Sequence, residues 1–138
     1  MMRLRLWAVV IGVLIEAAGG IALGVAMVTV LFLFQGQRGA TGMELPAIAL
    51  VLIELLMLVS AVIGGLVAAR LASTDHVRHG LAVGVGACVV WLVVELVLWR
   101  EERLAWTAAV GLLGAVPTGM LGGYLARRTQ RGDGMRSA

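Results

Sequence analysis

The sequence predicts an all-α protein: a polytopic transmembrane four-helix bundle, N- and C-termini cytoplasmic, with a weak two-hairpin repeat. Three observations lead there. Of the 138 residues, 61% are hydrophobic and 14% charged, whereas a soluble domain is about half apolar and about a quarter charged. The apolar residues lie in four long runs divided by short polar clusters. Each run reaches the roughly 20 residues that cross a hydrocarbon core. The basic residues are all arginine, and they sit at the ends of the runs, where side chains meet lipid headgroups. The mean hydropathy is +1.01, and residues 1–138 read as a single transmembrane domain.

The first helix is expected over about residues 4–34. Arg3 and Arg5 resemble the start of a secretory leader. The apolar stretch from Leu6 to Phe34 is far longer than the about 7–15 residues of a leader's apolar region, so it reads as a retained helix. At 1.5 Å per residue it would reach about 45 Å, and so must tilt or project beyond the core. "QGQRGATGME" leads to the second helix, about 46–71, where Pro46 suits a first turn that needs no N–H from it. "ASTDHVRH" leads to the third, about 77–99, with Thr74 or Asp75 as its N-cap. "REER" is short enough to force an antiparallel hairpin with the fourth, about 104–126, and a basic tail follows at 127–138.

Orientation follows from arginine. Arg3, Arg5, Arg70, Arg78, Arg127, Arg128, Arg131 and Arg136 fall on one side, and Arg38, Arg100 and Arg103 on the other. That asymmetry places the first group in the cytoplasm and the protein in the cell inner membrane. Trp7 and Tyr124 fall near the inner interface, Trp99 and Trp106 near the outer one, and Trp91 lies within a span. "GGLVAAR" in helix 2 is echoed by "GGYLARR" in helix 4, aligning Gly64-Gly65 with Gly122-Gly123 and Arg70 with Arg128.

Lipid gives helices no hydrophobic reason to associate, so close contact through small residues must do so. Stripes spaced by four occur in every helix: Gly20 and Gly24; Ser60, Gly64 and Ala68, beside Ala61, Gly65 and Ala69; Gly80 and Gly84; and Gly111, Ala115, Gly119 and Gly123, beside Gly114, Thr118, Gly122 and Ala126. Helix 4, with the widest small face, is expected at the centre of the bundle. Pro117 is read as lying in that face and kinking it. Internal packing is the first reading of these stripes and a homo-oligomer interface the second.

Glu16, Glu54 and Glu95 lie inside spans. Counted from the inner arginines, Glu16 is about 16 Å deep and the other two about 24–25 Å, so Glu54 and Glu95 are expected to face each other. No basic residue lies at those depths, and a lone carboxylate there costs several kcal/mol. In one reading these acids bind protons or a cation and line a polar path. In the other they are neutral and hydrogen-bond to backbone or to one another. Thr29, Ser60, Thr107 and Thr118 are their few polar companions within the spans. Asp75, His76 and His79 have the chemistry of metal ligands but lie in one short loop, so a solvated turn and no metal site is the expectation. Cys88 reads as a packing residue. No signature of an enzyme, a bound cofactor or nucleic-acid recognition is present.

"GGLVAARLASTDHVRHGLAVG" resembles small four-helix bacterial membrane proteins of no established activity, in which a GGxxAxR-type ending closes helix 2 or 4 and a His-Gly pair, here His79-Gly80, opens helix 3. The helix-1 glutamate in "LIEAAGG" is similar to that of small multidrug resistance transporters. The chain departs from these in its length, its two further intramembrane glutamates and its few aromatics. Together these readings lead to a non-enzymatic inner-membrane protein that acts through tight helix packing with itself or a membrane partner, the lipid bilayer being its medium. A proton-coupled carrier or channel using Glu16 and Glu54 is the alternative.

Overall fold

The computed structural model describes residues 5–36, 47–98 and 105–136, with side chains over 5–33, 51–94 and 109–130. The elements are α1 (Leu6–Gly36), α2 (Ala47–Ala72), α3 (His76–Leu98) and α4 (Ala105–Arg136). Each contains a stretch long and apolar enough to cross a membrane, the shortest being the 19 residues His76–Val94. This is the architecture of a multi-pass membrane protein. α4 continues through Arg136, past the end expected at about Ala126. The first part of the basic tail is therefore helical. Arg38, Glu44, Pro46, Arg100 and Arg103 lie outside the described residues, as do the side chains of Trp99, Trp106, Thr107, Arg131 and Arg136.

The distribution of side chains is inverted relative to a soluble protein. The buried apolar core is nearly all alanine (Ala8, Ala61, Ala68, Ala69, Ala72, Ala87, Ala115, Ala126) with Val83. Large apolar residues such as Leu14, Leu33 and Leu113 point outward. The largest fully buried side chains are His79, Glu16, Val83 and Ser60, three of them polar. Water would not tolerate such an exterior, whereas lipid requires it.

Glycine contacts set the helix pairing. On α2 and α4, Glu54 lies beside Gly111, Leu58 beside Gly114, and Gly65 beside Gly119, so the two helices run parallel. α1 against α2 (Gly12 on Gly64, Gly20 on Met57) and α3 against α4 (Gly80 on Gly123, Gly84 on Ala115) run antiparallel. The bundle is up-down-up-down, and Arg5 at the start of α1, His76 and His79 at the start of α3, and Gln130 in the last part of α4 lie at one end. That end also carries Arg70, Arg78, Arg127 and Arg128.

Two expectations are corrected. α4 is not the centre: among the described residues it packs on α2 and α3 but not on α1, whereas α2 touches all three other helices. The small face of α4 is divided between two neighbours, and Gly119 meets both Gly65 of α2 and Gly80 of α3. Pro117 is exposed rather than within that face. It stands two residues from both Ala115 and Gly119, which places it on the opposite side of the helix. α4 runs through it as a single element.

Candidate functional site

Glu16 is carried by α1, one turn after Gly12 and one turn before Gly20. Lacking side chains, Gly12 and Gly64 bring the α1 and α2 backbones together. A Cβ on Gly64 would stand 2.5 Å from the Gly12 carbonyl oxygen and 2.9 Å from the Glu16 Cβ. This approach encloses the Glu16 side chain, leaving it 2% exposed. From α3, the Trp91 indole Nε1–H donates to Glu16 Oε1 at 2.9 Å. The same ring covers Gly20, where a Cβ would lie 3.3 Å from Trp91 Cζ2 and 3.5 Å from Ser60 Oγ. Glu16 Oε2 is buried and has no hydrogen-bond partner among the described residues. The site is thus a half-satisfied carboxyl at the junction of α1, α2 and α3.

The described hydroxyls of the spans are turned back onto the backbone. Thr29 Oγ1 donates to the Val25 carbonyl at 2.8 Å, Ser60 Oγ to Met57 at 2.6 Å and Thr118 Oγ1 to Gly114 at 2.7 Å. This is the usual way for a hydroxyl within a helix to satisfy itself. Cys88 Sγ donates to the Leu112 carbonyl at 3.1 Å, joining α3 to α4. Glu54 faces α4, where a Cβ on Gly111 would stand 2.6 Å from Oε2. It is ten residues from Gly64 on α2, about 15 Å along the helix, and it belongs to a different interface from Glu16. The side chain of Glu95, and with it the expected pairing with Glu54, lies outside the described residues.

The "DHVRH" turn has a different organisation from the one expected. His79 is fully buried, not solvated. Its Nε2 accepts the backbone N–H of Arg5 at 3.0 Å, and its Nδ1 lies 3.1 Å from the Asp75 carbonyl oxygen. His76 Nε2 instead meets Gln130 Oε1 of α4 at 2.8 Å. Asp75 and Arg78 form an outward pair at 3.8 Å. The three residues do not converge, and among the described residues no cluster of His, Cys, Asp or Glu has a metal-holding arrangement.

Of the glycines singled out by spacing, Gly64, Gly65, Gly119, Gly122 and Gly123 lie against backbone of a neighbouring helix. Gly20 lies under Trp91, and Gly24 among the described residues meets only Met57 Cε at 3.7 Å, an ordinary contact that an alanine could also make. Gly12 was missed, although it continues the Glu16–Gly20–Gly24 spacing one turn earlier. Trp91 was noticed only as an aromatic out of place. Its position inside a span, among residues with so few polar partners, was the available signal.

The fold and site define a class: a multi-pass α-helical membrane protein with a buried carboxyl–indole pair at a three-helix junction. Compared with family models, with curated proteins and with solved structures, the chain matches none.

Proposed function

We propose that this is a non-enzymatic protein of the cell inner membrane, termini in the cytoplasm, in which Glu16 takes up and releases a proton. The observation that carries this reading is the state of the Glu16 carboxyl: 2% exposed, one oxygen held by Trp91 and the other without a partner among the described residues. A purely structural carboxyl would be expected to satisfy both oxygens, because a buried acceptor left unpaired costs about 1–3 kcal/mol. Persistent half-satisfied polar groups in native interiors call for an explanation such as a proton, water or ion in the working cycle, and ionisable groups within a membrane are functional by default.

A second reading, a packing protein with no proton chemistry, is favoured by a separate observation. The hydroxyls of Thr29, Ser60 and Thr118 donate to carbonyls of their own helices rather than to Glu16. Reconstitution into proteoliposomes distinguishes the two. Under the first reading, an imposed pH gradient drives proton movement in the wild type that Glu16→Gln abolishes and Glu54→Gln leaves in place. Equal proton movement in wild type and Glu16→Gln, both folded, would eliminate the first reading and leave the second.

A further inference from the structure

We propose that His79 is a proton-operated latch that holds the start of α1 against the start of α3. The proposal is independent of the role given to Glu16, which lies about three helical turns from Arg5 along α1.

The geometry allows the ring only one form. A backbone N–H can only donate, so the Nε2 that receives Arg5 N–H at 3.0 Å carries a lone pair. A carbonyl can only accept, so the Nδ1 placed 3.1 Å from Asp75 O carries the proton. The ring is therefore the neutral Nδ1–H tautomer. Arg5 is the N-cap residue of α1, since its carbonyl accepts from Ala8 N at 3.0 Å and Val9 N at 3.3 Å. Its own N–H has no acceptor within α1. Within a single helix, a glutamate of a capping box fills that role. Here a histidine from another helix does, so helix capping and interhelix docking are the same bond.

The turn before α3 is shaped to support this bond. Ser73 and Asp75 adopt φ of 57° and 47°, a left-handed conformation that non-glycine side chains disfavour. The conformation at Asp75 accompanies a carbonyl that serves the ring as well as the amides of Arg78 and His79. Such local strain persists only where surrounding structure holds it.

Protonation at Nε2 would set N–H against N–H and remove the bond. No described side chain is arranged to substitute. The Asp75 carboxylate is paired outward with Arg78 at 3.8 Å, and His76 is engaged with Gln130. Arg5 on α1, Arg70 on α2, and Tyr124, Arg127 and Arg128 on α4 are exposed. α1 is the helix that would respond. Among the described residues it makes no contact with α4, and most of its residues beyond Ile21 are exposed.

The test uses the full chain in detergent micelles or bicelles with ring-¹⁵N histidine. At neutral pH the His79 shifts should report the Nδ1–H tautomer. As acid protonates the ring, the protection factor of the Arg5 amide, corrected for intrinsic exchange at each pH, should fall about fivefold or more, the scale of a lost cap. Protection in the middle of α3 should hold. His76→Gln should leave both results unchanged. His79→Gln, if it folds, should uncouple Arg5 protection from pH. An Nε2–H tautomer, a ring that takes up no proton while the fold persists, or Arg5 protection that ignores the ring's protonation would each overturn the latch.

Discussion

Glu16 and Trp91 account for each other. An acid and an indole within a span are each costly alone, since neither the carboxyl nor the ring N–H finds a partner in hydrocarbon. At 2.9 Å they form the one side chain–side chain bond between α1 and α3 among the described residues. Trp91→Phe keeps the ring but removes the donor, leaving both carboxyl oxygens without it. The expected result is a loss of about 1–3 kcal/mol in unfolding measured in detergent. Glu16→Gln keeps an oxygen to accept from the indole, so its stability should stay within about 1 kcal/mol of wild type while proton movement is lost. A Gln variant that unfolds readily would instead assign Glu16 a structural role. The three acids were visible in the sequence as charges out of place, but the separate surroundings of Glu16 and Glu54 were not. Glu16 and Glu54 lie on helices of similar apolarity, and only the rotation of each helix decides that one meets Trp91 and the other Gly111.

At the scale of the element, small residues matter where backbone meets backbone. A Cβ on Gly122 would run into the Val62 carbonyl oxygen and lie 2.7 Å from Leu66 N. Those atoms belong to a helix that cannot yield without displacing its whole length. Gly122→Ala should therefore lower stability by about 1–3 kcal/mol, the usual cost of overpacking. Gly24→Ala should fall within about 0.5 kcal/mol of wild type, because the new methyl meets only the flexible end of Met57. Thermal unfolding of the two variants in the same detergent checks the contrast, and equal losses would contradict the helix contacts described. Spacing by four identified the stripes but ranked them poorly. Every helix of this composition carries such spacing, and the closest approach depends on where two axes cross. Pro117 shows a related error, since a position between two small residues in sequence lies opposite them on a helix.

At the scale of the molecule, α2 and α3 each touch three helices, while α1 and α4 do not meet among the described residues. The glycine faces of α2, α3 and α4 close on one another inside a single chain. A homo-oligomer built on those faces would have to open them first, so the purified protein should remain a monomer in mild detergent, as read by light scattering. A dimer disrupted by Gly65→Leu with the protomer still folded would reverse this. The start of α1 and the last described part of α4 lie at the end of the bundle that carries Arg5, Arg70, Arg78, Arg127 and Arg128. Reporter fusions at the N- and C-termini should therefore give the same compartment, and by the arginine asymmetry that compartment should be the cytoplasm. An exterior location for either terminus would overturn the topology.

Four long apolar helices and their alternating direction were legible in the sequence alone. They follow from length, hydropathy and loop size, quantities that add up locally along the chain. The tertiary structure decided that α2 and α3, rather than α4, touch every other helix, which glycines touch backbone, that Trp91 bonds Glu16, and that His79 caps α1 instead of facing solvent. Each of these depends on the rotation and crossing of one helix against another. In an apolar chain whose helices look much the same on every side, only packing in three dimensions sets those angles.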